Sequence, residues 1–138
     1  MRTHRWVYLA LALLVPAAAI AANAHFISGP TLTVKNNALE VCGSIAGLGN
    51  QDVTIRVTGT ADVQCVNKGG NPPPGQRQTV TGTISNVHVE NGRVDFCVTT
   101  ARVTNPCPDG MRVSATFLTA TVTVTQNGRV VFEETVNL

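Results

Sequence analysis

DVTIRVTGTADVQCV, residues 52–66, alternates apolar and polar side chains along almost its whole length. Val53, Ile55, Val57, Ala61, Val63 and Cys65 share one parity, and Thr54, Arg56, Thr58, Asp62 and Gln64 take the other. Successive side chains of a strand point to opposite sides, so this period of two marks a long β-strand with one face buried and one in water. The Val, Ile and Thr that dominate it are the residues that fit a pleated surface.

The same pattern extends in both directions. Upstream, TLTVK (residues 31–35), Asn36-Asn37 and LEVCGSI (residues 39–45) read as a tight hairpin. Downstream, QTVTGTISNVHVE (residues 78–90) changes parity between Ile84 and Val87, which predicts a bulge at Ser85-Asn86. Asn91-Gly92 is a hairpin signal before RVDFCVTT, and a loop from Ala101 to Gly110 leads into MRVSATFLTATVTVT, with a second parity switch near Phe117-Leu118. Asn127-Gly128 makes the last hairpin, into RVVFEETVNL. No stretch has helical periodicity. Seven strands with polar turns predict an all-β, immunoglobulin-like sandwich, with strands one, two, five and four facing strands three, six and seven. A small closed β-barrel is the alternative.

Cysteine parity fits this arrangement. Leu39, Val41, Gly43 and Ile45 occupy one face of strand two, so Cys42 points the other way, and Val94, Phe96 and Val98 leave Cys97 on the polar face of strand five. If strands two and five are neighbours, Cys42 and Cys97 can join across the outer face of one sheet. Cys65 ends strand three and Cys107 precedes strand six, so those two would close a corner. Four cysteines allow three connectivities, and the topology favours this crossed one. Zinc is a weak alternative, because no pair has C-x2-C spacing and neither His25 nor His88 is near a cysteine.

The first residues resemble an export leader. Arg2 and Arg5 form a basic region, Val7 to Val15 is apolar, and Ala22-Asn23-Ala24 offers small residues for cleavage, so residues 1–24 are expected to be a signal peptide and His25 the mature start. A retained membrane anchor fits less well, because Pro16 interrupts the run. Residues 25–138 then have the length of one secreted domain. Without Arg2 and Arg5, ten basic residues become eight against eight acidic ones, so no charge excess points to nucleic acid or an anionic membrane. Four cysteines beyond the leader fit an oxidising compartment, extracellular or periplasmic.

Several segments together resemble a known group. Ala46-Gly47-Leu48-Gly49-Asn50, Cys65-Val66-Asn67-Lys68-Gly69-Gly70-Asn71 and Cys107-Pro108-Asp109-Gly110, with His25-Phe26, are similar to a widespread, functionally uncharacterised group of small secreted β-sandwich proteins of bacteria and filamentous fungi. The likeness supports pairing of Cys65 with Cys107, which belong to the group's pattern, whereas Cys42 and Cys97 read as an added pair. It assigns no catalytic or binding residue.

The candidate chemistry is sparse. In CVNKGGNPPPGQ, residues 65–76, glycines permit left-handed backbone and prolines favour an extended path, so the stretch reads as a stiff connection between sheets. As a partner-binding loop it would act through Asn67, Lys68, Gly69, Gly70 and Asn71. Trp6 and Tyr8 fall in the leader, which leaves no Trp or Tyr as a platform for sugars. Gly43-Ser44-Ile45-Ala46-Gly47 is not a nucleophile elbow, and adjacent Glu133 and Glu134 face opposite sides of a strand. No catalytic residue is therefore named, and no enzyme activity or cofactor is expected. One metal reading stands beside this: a free amine and imidazole at a mature His25, joined by His88, would offer the nitrogen set that copper prefers. The residues otherwise imply a secreted binding or structural module meeting an extracellular partner or surface, with self-association through open strand edges as a variant.

Overall fold

The computed structural model describes residues 23–66 and 75–138. The expected leader, save Asn23 and Ala24, and the loop positions Asn67, Lys68, Gly69, Gly70 and Asn71 lie outside these residues. Seven strands follow one another: β1 His25–Lys35, β2 Ala38–Ala46, β3 Val53–Val66, β4 Gln76–Val87, β5 Val94–Thr99, β6 Arg112–Gln126 and β7 Arg129–Asn137. They form two antiparallel sheets, β1-β2-β5 and β4-β3-β6-β7, stacked as an open sandwich rather than closed into a barrel.

Turn chemistry behaves as the residues dictate. Asn36 and Asn37, Asn91 and Gly92, and Asn127 and Gly128 all have positive φ. Consecutive left-handed residues give the turn whose twist matches that of the flanking strands. The bulge expected at Ser85-Asn86 is present, and the second parity switch, near Phe117-Leu118, is a bulge as well. Val53 pairs with Val87 but Ile55 with Ile84, so β4 holds one extra residue, and Asn86 there has φ of 55°. Thr60 pairs with Thr119 but Ala61 with Phe117, which leaves Leu118 as the extra residue of β6. Each bulge restores the inward parity of its strand.

The core lies between the sheets. Leu39, Val41 and Ile45 of β2 meet Ile55, Val57 and Val63 of β3 and Val122 and Val124 of β6, all buried. Phe96, Phe117 and Phe132 are buried as their parities require, and the Phe26 ring meets that of Phe132 edge-on at 5.0 Å between centroids. This contact closes the side of the sandwich where β1 and β7 are edges. β1 begins at His25, upstream of the Thr31 expected from alternation, because its pairing with β2 shifts register around Ser28 and Thr31 and breaks the period.

One assignment is corrected. Strand four does not join strand five; it pairs with β3 from Val53–Val87 to Val63–Gln76. The stretch from Cys65 to Gln76 therefore joins neighbours in one sheet and is not a crossover between sheets. Consecutive antiparallel strands pair readily, and the outer face supports this ladder through Thr58 opposite Thr81 and an Arg77–Asp62 ion pair at 3.1 Å. Both disulfides nevertheless match expectation: Cys42–Cys97 lies across β2 and β5, and Cys65–Cys107 ties the end of β3 to the segment before β6. They fit an oxidising compartment.

Candidate functional site at the disulfide-pinned corner

Residues 100–107 leave β5 and cross from one sheet toward the other before β6 begins. Their polar backbone must find partners along the way, and it does. Thr100 N–H donates to the Leu39 carbonyl at 2.9 Å, while Leu39 N–H donates to Thr100 Oγ1 at 3.0 Å. Ala101 N–H donates to the Thr81 carbonyl at 3.1 Å, and Val103 N–H to the Asn37 carbonyl at 2.9 Å. Buried Val103 anchors the segment in the core, and Cys107 ends it at the bond to Cys65, with Cα atoms 5.5 Å apart.

The side chain of Gln78 completes the frame. Its Nε2 donates to the Thr104 carbonyl at 3.0 Å, and its Oε1 accepts from Thr104 N–H at 2.9 Å. One amide thus imitates a rung of a sheet between β4 and the crossing segment. Between them lies a shallow trough of about 530 Å³, floored by Val80 and Ala101 and walled by Gln76, Gln78, Thr79, Thr81, Arg102 and Thr104. It offers amides, hydroxyls and one cation. Among the described residues Arg102 has no ion-pair partner. Gln76, on one wall, follows directly on the Cys65–Gly75 stretch, so the sequence-expected loop adjoins this trough along the chain.

The opposite end of the sandwich holds the two histidines. His25 is exposed, with Nδ1 2.6 Å from the Asn23 carbonyl, while His88 follows β4 and places Nδ1 3.5 Å from Asp52 Oδ1. Each thus has its own neighbour, and among the described residues no three His, Cys, Asp or Glu side chains converge. A second cavity there, about 300 Å³, is lined by His88, Glu90, Arg93 and Asp95. Ser44 donates to Asp95 on the outer face of β2 and β5. Glu133 and Glu134 are both exposed on β7.

The Ala46–Asn50 motif has a packing role. Leu48 is completely buried and its N–H donates to the Gly92 carbonyl at 3.0 Å, while Gln126 Nε2 donates to the Gln51 carbonyl at 2.8 Å. Gly47, at φ 82°, has no room for a side chain, since a Cβ there would lie 2.8 Å from the Asn23 carbonyl carbon. These residues plug the end of the core.

Sequence reasoning did not find Gln78, Arg102 or Thr104. Gln78 and Thr104 are 26 residues apart, and neither has a neighbour in sequence that marks the pairing. No family model matches the chain, and neither a curated protein nor a solved structure matches it.

Proposed function

We propose that this chain is a secreted, immunoglobulin-like, non-enzymatic binding module whose trough beside β4 receives an extended, hydrogen-bonding segment of an extracellular partner. The observation that carries this reading is the Gln78–Thr104 frame, which holds the crossing segment open beside a strand edge and leaves Arg102 without an ion-pair partner among the described residues. Loops held on a rigid scaffold commonly carry recognition, and a strand edge supplies main-chain hydrogen bonds to an extended ligand. The single cation favours a partner bearing a carboxylate.

Action as a monomer is supported by the edges. Glu133 and Glu134 place two exposed carboxylates in the middle of β7, and Pro30 removes an N–H from β1. Charges and prolines at edges are the usual guards against strand pairing between copies.

Capture from a native culture supernatant tests the proposal. Immobilised protein should retain a partner that Arg102→Ala and Gln76→Ala variants, folded and with unchanged melting temperature, release. Equal retention by all three proteins would place recognition elsewhere.

A further inference from the structure

The Cys42–Cys97 bond is asymmetric in its surroundings. Cys42 sits on the central strand of its sheet, half-buried, with Thr31 of β1 as its register partner on one side and Cys97 of β5 on the other. Cys97 is exposed, and β5 pairs with β2 alone, so nothing in that sheet lies beyond it. Displacement at a disulfide needs the incoming sulfur roughly in line with the bond that breaks. A thiolate reaching Cys97 Sγ along that line comes from the open edge of β5. One reaching Cys42 Sγ must come over Thr31.

We propose that Cys97 is a site of S-thiolation by small thiols, with Cys42 as the leaving group. The thiolate sulfur bonds to Cys97 Sγ, the Cys42–Cys97 bond breaks, and its electron pair leaves on Cys42 Sγ as a thiolate. One disulfide replaces another, so neither oxidant nor reductant is consumed. The reverse attack by Cys42 restores the original bond. The fold tolerates the open form, because Val41 and Ile45 of β2 and Val94, Phe96 and Val98 of β5 stay buried on the other face. In the second disulfide Cys65 is only 6% exposed and Cys107 is half-buried, so neither sulfur is as open as that of Cys97. Charge selects among thiols: Asp95 is exposed on the same face of β5 as Cys97, while Glu40 is already paired with Lys35 at 3.1 Å. A cationic thiol is favoured over an anionic one.

The test exposes the oxidised protein to cysteamine, quenches with acid, alkylates free thiols and maps peptides without reduction, with circular dichroism as the check on folding. Cysteamine should be found on Cys97 over Cys42 by on the order of tenfold, with Cys65–Cys107 intact. Thr31→Ala should raise the share on Cys42, and glutathione should react more slowly than cysteamine. An even distribution, a majority on Cys42, prior opening of Cys65–Cys107, or no adduct on the folded protein would each overturn the proposal.

Discussion

Gly82 of β4 lies against the backbone of Thr99 at the end of β5: a Cβ at position 82 would sit 2.8 Å from the Thr99 carbonyl carbon and 3.0 Å from the Thr100 Cα. The two sheets touch here by main chain, on the side opposite Phe26 and Phe132. Gly82→Ala should therefore destabilise the protein by about 1–3 kcal/mol, the usual cost of overpacking. Thr83→Ala, one residue along and exposed, should change stability by less than about 0.5 kcal/mol. Urea unfolding midpoints of the two variants check this.

Thr100 is the only buried polar or charged residue among those described, and its hydroxyl accepts from the buried Leu39 N–H. Thr100→Val keeps the shape and leaves that N–H unpaired, which should cost about 1–3 kcal/mol. Thr100→Ser should recover most of the loss. Equal midpoints for the Val and Ser variants would show that the hydroxyl is dispensable.

Removing Cys65–Cys107 by a double serine substitution frees a loop spanning a sequence separation of 42 residues. The loop-entropy account sets the loss at about 4 kcal/mol, a large part of the roughly 5–15 kcal/mol that holds a typical domain together. Calorimetry of the variant should show a lowered melting temperature, and limited proteolysis should cut first between residues 100 and 111.

Replacing Glu133 and Glu134 together by Thr should convert β7 into an unguarded edge. Light scattering at rising concentration is then expected to show association in the variant and none in the parent chain. Absence of association in both would mean that the twist of the edge suffices without charge.

Gln78→Ala should loosen the crossing segment without unfolding the core, because its three hydrogen bonds with Thr104 are exposed while Val103 remains buried. Amide exchange should speed up at Thr104 and stay slow at Leu39. Faster exchange at both would indicate that the frame supports the whole corner.

Strand content was legible because burial imposes a period of two on every strand that has one wet face. The bulges at Ser85-Asn86 and Leu118 announced themselves as breaks in that period. Positive φ at the Asn and Gly turn positions was legible for a local reason too, since few other residues tolerate it. The Cys42–Cys97 pairing was recovered even though strand four was misplaced, because it requires only that β2 and β5 be adjacent. The candidate site was hardly legible: Gln78 and Thr104 meet only after β4 and the crossing segment have been laid side by side.

By itself, then, the chain determined the seven strands save the stretch of β1 before Thr31, which side chains face inward along them, where the turns fall and which cysteines can meet. All of these follow from short-range sterics and from parity. Tertiary structure decided the sheet to which β4 belongs and the trough that this choice creates. A solvent-facing strand rich in Thr can pair equally well with either of two neighbours, and the alternation of its side chains is the same in both. The choice rests on non-local contacts: the Arg77–Asp62 pair, the fit of Gly82 against Thr99, and the span from Ala101 to Thr104 that β4 holds through Thr81 and Gln78.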